Sequence, residues 1–215
     1  MLKQSLPSWD IRDFEPHISS ETMYVHVYQL HKGYVDKLNK RFSNTGLLEI
    51  EPSEVLRDLD GYLSGENKEF YRNMMGGNVT HTLLWKCITP HPQARYNSQL
   101  LNSFGLSKSG VVQRIKEEGL GRFGSGWVWG CIDPFRRTLK IYSTKNHDTP
   151  YMRKYIPLFC IDVWEHAYFL DDHGDRAKWL DIVCGYIDWE MIDKIYYSFL
   201  DGYDPIDAWV LGQHT

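Results

Sequence analysis

In its second half the sequence reads Asp162-Val163-Trp164-Glu165-His166-Ala167-Tyr168-Phe169. The β-rich run Tyr155–Val163 leads into this segment, so Asp162 stands at the end of a predicted strand. A carboxylate in such a place is costly to bury unless it is paired or coordinates a metal. His166 follows four residues later, among tryptophan and tyrosine side chains. The segment therefore predicts a buried polar cluster that a bound cation would compensate.

Two histidines of the first half fall on predicted helices with apolar faces. One helical face is predicted from a recurrence at every fourth residue, which places together His26, Leu30, Tyr34 and Leu38. His81 lies in the largely apolar segment Asn78–Trp85. Both imidazoles are thus candidates for the same buried cluster.

The combined candidate set is His26, His81, Asp162 and His166. Three imidazoles and one carboxylate suit iron or manganese, which accept mixed nitrogen and oxygen ligands. Zinc also stays open, because catalytic zinc sites often have three protein ligands. The residues alone leave a structural buried network without metal open as well.

The order of predicted elements indicates an α+β fold. Helical spacing predicts helices over residues 23–39, 52–63 and 66–87, the last loosened at Gly76-Gly77, and one or two short helices within residues 93–122. The predicted strands are Trp127–Ile132, Leu139–Ser143 and Tyr155–Val163, and helical spacing returns over residues 175–200. We predict a helical N-terminal domain over residues 1–91, built as a long helical hairpin. A second domain over residues 92–215 carries a three-stranded antiparallel meander flanked by helices.

Composition narrows the classes of function. The 215 residues carry a net charge of −4, which argues against a nucleic-acid partner. No apolar stretch approaches the ~20 residues that a membrane span needs. The N-terminus lacks secretory and mitochondrial features, which predicts a cytoplasmic protein, or one of the mitochondrial matrix if a presequence was removed. No cysteine pair forms a CxxC motif, and we expect all four to be free and buried: Cys87, Cys131, Cys160 and Cys184.

The segment Asp162–Phe169 resembles the signature of the iron/manganese superoxide dismutase family, which reads Asp-x-Trp-Glu-His-Ala followed by two aromatic residues. Four other stretches agree with the family in the same order. They are Leu6-Pro7 with Glu15–Ser19, His26 with Tyr34 and Leu38-Asn39, Asn78–Cys87, and Phe123–Trp129. The resemblance runs from residue 6 to residue 192 and so covers nearly the whole chain.

The resemblance implies a ligand set and a reaction. By similarity, His26 and His81 from the helical half and Asp162 and His166 from the mixed half hold one iron or manganese ion, with water or hydroxide as a fifth ligand. Superoxide would be converted to dioxygen and hydrogen peroxide by alternating reduction and oxidation of the metal, while the protein tunes its potential and delivers protons.

Further roles are implied for residues around the metal. Tyr34 would join the proton-supplying network at the substrate funnel, and Arg176 would add positive charge that attracts the superoxide anion. The aromatic shell would be Trp85, Trp127 and Trp164. The chain would form a homo-oligomer, a dimer or a tetramer, with Glu165 and His166 at the interface and Glu165 reaching the partner's His166.

This chain departs from the family pattern in two places. The family usually sets a glutamine beside the metal-bound solvent, whereas the two positions that supply it are Gly77 and His147 here. His147 would then be the donor, which favours iron, or a site that works with either metal. A histidine and a tyrosine that usually form a hydrogen bond across the dimer are replaced by Leu30 and Phe169. Because both partners are lost together, apolar packing can replace the bond at little cost. The proton relay would be shortened and turnover lowered.

Two other functions compete with an active dismutase. The shortened relay permits a non-enzymatic subunit that keeps the dismutase fold inside a larger assembly, although all four candidate ligands are retained. A different mononuclear iron enzyme is weaker, because such sites commonly use two histidines and one carboxylate with open positions.

Overall fold

The computed structural model describes residues 1–213. The N-terminal half is helical, as predicted, and its α-helices are α1 (Ser20–Tyr24), α2 (Lys32–Phe42), α3 (Pro52–Arg57), α4 (Leu59–Tyr62) and α5 (Gly65–Cys87). The second half holds α6 (Gln99–Ser103), α7 (Lys108–Gly121), α8 (Phe169–Asp172), α9 (Arg176–Cys184), α10 (Trp189–Leu200) and α11 (Pro205–Leu211). Its strands are β1 (Gly126–Asp133), β2 (Thr138–Lys145) and β3 (Ile156–Asp162). Short 3-10 turns cover Leu47–Glu49, Pro150–Arg153 and Glu165–Ala167. The α+β prediction is therefore confirmed.

The first long helix contains a π-helical segment that the sequence pattern did not predict. Ser19 caps its start by accepting a hydrogen bond from the Thr22 amide, and residues Val25–His31 then adopt the wider π-helical form between α1 and α2. The wider turn shifts the inward-facing position by one residue. His31 is fully buried, whereas Leu30 is only partly covered. The predicted recurrence at every fourth residue is therefore wrong at Leu30.

Helix α5 packs against α2 on one side and against β3 and α11 of the second half. The predicted loosening at Gly76-Gly77 is wrong, because α5 is continuous from Gly65 to Cys87. The two glycines instead allow close approach. A Cβ on Gly76 would lie 2.1 Å from the carbonyl oxygen of His147, and one on Gly77 would lie 2.9 Å from the ring of Tyr34.

The three strands form one antiparallel sheet in the order β2-β1-β3. The predicted meander is wrong, because a meander would place β2 in the centre. The segment between β2 and β3 contains the turn Pro150–Arg153 and returns the chain to the far side of β1. Strand β1 is buried along its whole length, as expected for a central strand covered on both faces. Its register sets Trp127 opposite Asp162.

The C-terminal helices complete the core. Helical spacing over residues 175–200 corresponds to two helices, α9 and α10, separated by the turn at Gly185 and capped anew by Asp188. Helix α11 packs on α5 and α3, with Ile206 and Val210 buried. Residues 205–211 therefore dock on the body of the chain. Among the described residues, no helix has both the length and the apolarity to cross a membrane.

Candidate metal centre

Four side chains from three separate stretches of the chain converge between the two halves. One donor atom from each of them lies within 4.8 Å of all the others: His26, His81, Asp162 and His166. The Oδ2 atom of Asp162 is 3.2 Å from Nε2 of His26, 3.1 Å from Nε2 of His166 and 4.0 Å from Nε2 of His81. The structure thus brings together the complete set selected from the sequence.

His81 is held with one ring nitrogen free to bind. Its Nδ1–H donates to the carbonyl oxygen of Gly77 at 2.6 Å, one turn earlier in α5. This bond fixes the tautomer and leaves the lone pair of Nε2 pointing into the cluster. Metal-binding histidines commonly donate their second ring N–H to a carbonyl or carboxylate in this way. Burial lowers the pKa of His81 well below its ordinary value, so the ring is neutral.

His26 shows the same buried, unpaired nitrogen. The Nε2 atoms of His26 and His81 are both buried and make no hydrogen bond with any described residue. Burial lowers the pKa of His26 as well, although Asp162 opposes the shift. Two buried imidazole nitrogens without a hydrogen bond are costly in a protein interior unless a bound group satisfies them. A metal cation at their point of convergence would satisfy both.

Asp162 supplies the negative charge of the cluster. It is completely buried, its Oδ1 accepts a hydrogen bond from the Trp164 amide at 2.7 Å, and Oδ2 faces the histidines. Burial would raise its pKa, but contacts with His166 and His26 outweigh burial and hold the pKa of this carboxyl well below its usual range. A buried carboxylate beside the neutral His26 and His81 rings fits a cationic metal better than a network of neutral hydrogen bonds.

A short chain of hydrogen bonds lies beside the cluster. The Trp127 Nε1–H donates to Nδ1 of His147 at 3.2 Å, so His147 must carry its proton on Nε2. That Nε2–H donates to the hydroxyl of Tyr34 at 3.0 Å. Burial lowers the pKa of His147 to about 4 and raises that of Tyr34, so both are neutral near pH 7. Trp164 stacks on the His147 ring at 4.7 Å.

The position of the Tyr34 ring also explains why Gly77 on α5 carries no side chain. The ring packs against the backbone of Gly77, so a larger residue at this position would displace it. The polar group at this place comes from the loop after β2 instead, through His147. Unlike a glutamine amide, the neutral His147 ring has only one N–H, and that N–H is already committed to Tyr34.

Sequence reasoning missed His31. This histidine is fully buried, and its ring stacks on His81 with centroids 5.5 Å apart. Its Nδ1 accepts from the Trp85 indole at 3.0 Å, which places the proton on Nε2, where it can donate to Oδ1 of Asn78 at 2.9 Å. Burial lowers the pKa of His31 to about 4. His31 follows His26 by five residues, and a regular α-helix would not place both side chains on its inward face. The sequence pattern therefore did not select His31.

Aromatic rings wall the cluster. Trp85 packs edge-to-face on His26 at 4.8 Å, Trp127 on His81 at 5.0 Å, and Trp164 stacks on His166 at 5.5 Å. These are the three tryptophans predicted for the shell.

Arg176 is more constrained than a freely projecting charge. Its guanidinium donates to the Tyr168 hydroxyl at 3.0 Å, to the Gly124 carbonyl at 3.0 Å and to the Arg122 carbonyl. It therefore braces the loop before β1 against the segment after β3. Its predicted role in attracting superoxide stays a prediction.

Apolar side chains stand exposed beside this brace. The exposed fractions of Phe123, Phe169 and Leu170 are 96%, 54% and 50%, and Glu165 is exposed next to them. Leu30 is partly covered. The predicted contact between Leu30 and Phe169 across an interface stays a prediction. All four cysteines are free and buried, as expected.

Comparison with known proteins agrees with the geometry. Residues 4–89 match the family model described as iron/manganese superoxide dismutases, alpha-hairpin domain, and residues 92–195 match the C-terminal domain of the same family. A manganese superoxide dismutase of Thermus aquaticus is 34% identical over 187 residues, covering 85% of this chain and 90% of that protein. That of Bordetella pertussis is 33% identical over 186 residues, covering 85% and 87%.

Proposed function

The chain belongs to the iron/manganese superoxide dismutase family and is a superoxide dismutase, and on this premise we propose that His26, His81, Asp162 and His166 hold its catalytic metal. The observation that carries the proposal is the convergence of four donor atoms within 4.8 Å, two of them buried imidazole nitrogens without a partner. The relatives described above are named as superoxide dismutases, and neither name indicates a structural subunit.

The protein's own contribution is to hold the donors and to position one proton. When bound, iron or manganese would supply the one-electron chemistry that converts superoxide to dioxygen in one half-reaction and to hydrogen peroxide in the other. The cluster keeps the His26 and His81 imidazoles neutral and its carboxylate charged. Tyr34 accepts from His147, so its own hydroxyl hydrogen is free to be donated toward the reacting oxygen. We assign Tyr34 and His147 to proton supply for this reason.

Metal content and activity test the metal assignment together. The chain would be purified without metal, reconstituted separately with iron and manganese, and assayed for superoxide consumption. We expect about one ion per chain and activity with at least one metal. His81→Gln should lose both metal binding and activity, which would support the ligand set. The control His91→Gln changes an exposed histidine and should keep its metal. Full metal content in His81→Gln contradicts it.

The role of Tyr34 is tested by removing only its hydroxyl. Tyr34→Phe keeps the ring that packs on Gly77, so metal content should not change. Because a positioned proton donor is lost, the rate at saturating superoxide should fall by at least about tenfold. An unchanged rate across pH 6–9 would contradict the assignment.

We propose that either iron or manganese occupies the site, with a preference for iron because His147 replaces the usual glutamine. The relatives described above are named as manganese enzymes, so the two metals must be compared in this chain. The ratio of activities of the iron-loaded and manganese-loaded forms is the deciding measurement. A manganese-only enzyme would contradict the preference.

We also propose a homodimer across the surface formed by Phe123, Glu165, Phe169 and Leu170. A patch of exposed apolar side chains with polar residues at its rim is typical of a protein–protein interface. Light scattering with size-exclusion chromatography should give a dimer, and Phe169→Glu should give a monomer.

We further propose that the domain boundary lies between residues 91 and 92. The compartment, cytoplasm or mitochondrial matrix, stays a prediction.

A further inference from the structure

A basic cavity lies on the far side of the loop that carries His147. It has a volume of about 360 Å³, and its charged lining residues are Arg72, Arg122, Lys145, Asp148 and Arg153. Four cations and one carboxylate give this cavity a local charge of +3, whereas the whole chain has a net charge of −4. Such a concentration of positive charge in an acidic protein requires an explanation.

The single carboxylate does not neutralise the cavity. Both oxygens of Asp148 are held by Arg72, through two hydrogen bonds of 2.7 Å each from Nε and Nη2. Within residues 1–213, the other three cations, Arg122, Lys145 and Arg153, form no ion pair. The Arg153 guanidinium lies 5.5 Å from the centre of the Tyr142 ring, which supports the side chain from one side. Arg122, Lys145 and Arg153 thus remain without an ion pair around one space. Two further carboxylates contact its lining residues: Glu69 lies 3.5 Å from Arg72, and Glu118 accepts from the Ser143 amide at 3.0 Å.

Two buried donors at the cavity wall also lack partners. Thr149 is 1% exposed, and its hydroxyl makes no hydrogen bond with any described residue. The Nε–H of Arg122 is likewise buried and unpaired in the described part of the chain. Buried donors normally have an acceptor, so each of them calls for one. An anion with several acceptor oxygens would satisfy both and would balance the charge.

We infer that this cavity binds an oxyanion of the phosphate type. Arginine guanidinium groups match phosphate oxygens in geometry as well as in charge, and a hydroxyl commonly adds a further donor. The volume falls within the range of about 300–1,000 Å³ that is typical of small-molecule sites, so it exceeds what one phosphate group needs. The ligand class is therefore inorganic phosphate or a phosphorylated small molecule. The inference is independent of the metal assignment.

Calorimetric titration of the metal-loaded protein tests the site. Orthophosphate, tripolyphosphate and ATP are titrated separately at one ionic strength, set with sodium chloride. We expect saturable binding of at least one of them, and the three arms distinguish a free phosphate from a polyphosphate or a nucleotide. Arg122→Gln and Arg153→Gln should each weaken binding by about tenfold, since each removes a charge-assisted contact. The control Arg95→Gln alters an exposed arginine outside the cavity and should leave binding unchanged.

Thr149→Val guards against a variant that fails to fold. The substitution keeps the shape of the side chain and leaves no partner unsatisfied, because the Thr149 hydroxyl has none within the described residues. Far-ultraviolet circular dichroism should match that of the wild type, while phosphate binding weakens. Equal affinity in the wild type, Thr149→Val and both arginine variants would overturn the inference, as would the absence of binding by all three ligands.

Discussion

The two halves of the molecule supply the candidate metal centre in different ways. Asp162 and His166 lie within one short segment, where the end of β3 and the following 3-10 turn bring their donor atoms to 3.1 Å. His26 and His81 lie on separate helices and meet only because α2, the π-helical segment and α5 pack together. The first pair is set by local chain geometry, and the second depends on packing at a distance.

The largest effect is expected from the local pair. Asp162→Asn removes the only negative charge of the cluster, so metal affinity should fall by more than the roughly 10–100-fold that loss of a supporting residue costs. Metal content after dialysis against a chelator measures this. Asp133→Asn, at the opposite end of the central strand, is the matched buried control and should keep its metal. Equal metal loss in both variants would show that the effect is unspecific.

The packed pair should be sensitive to a residue that touches no metal. His31→Leu leaves the Trp85 N–H and the Asn78 carbonyl without their partner, which costs about 1–3 kcal/mol for each buried group. Metal affinity should fall about 10–100-fold, because the stack behind His81 is lost. His31→Gln keeps a hydrogen-bond acceptor, so it should lose less stability and less metal affinity than His31→Leu. Unchanged metal affinity in His31→Leu would mean that His81 needs no support from packing.

Two glycines of the helical half test how closely α5 packs against the second half. Gly76→Ala places a methyl group against the His147 carbonyl and should lower the free energy of unfolding by about 1–3 kcal/mol. Gly33→Ala changes a glycine of α2, and the added Cβ meets nothing within 4 Å. This variant should raise the free energy of unfolding by about 0.5–1 kcal/mol. Urea unfolding of both variants gives the values. A stabilised Gly76→Ala would contradict the close approach of α5 to the His147 loop.

The last expected effect is a change of stability with pH, and it vanishes above pH 6.5. The pKa of His147 is about 4 in the folded protein and near 6.5 in the unfolded chain, so the unfolded state binds more protons between these values. Stability from this group is complete above pH 6.5 and is lost as the pH falls toward 4. His147→Gln should reduce the slope of unfolding free energy by up to about 1.4 kcal/mol per pH unit. Equal slopes in wild type and variant would place a charged His147 in the folded state.

The same contrast separates what the sequence could predict from what it could not. The local segment Asp162–Phe169 identified two donors, and hydrophobic patterning identified the helices and strands that carry the others. His31 and the strand order escaped prediction. The π-helical turn depends on packing of the whole helix, and the position of β3 depends on the path of a connection with no periodic pattern. Likewise, Gly76-Gly77 signalled a flexible helix locally, but served close contact in the folded chain.

The direction of the hydrogen bonds behind Tyr34 has a consequence for turnover. The Trp127 indole can only donate, so it holds His147 in one tautomer and closes the rear of the chain. No proton can enter from that end without breaking the indole bond. After each donation, the Tyr34 oxygen must therefore be reprotonated from its solvent side. The speed of successive cycles then depends on the access of water and buffer acids to this one hydroxyl.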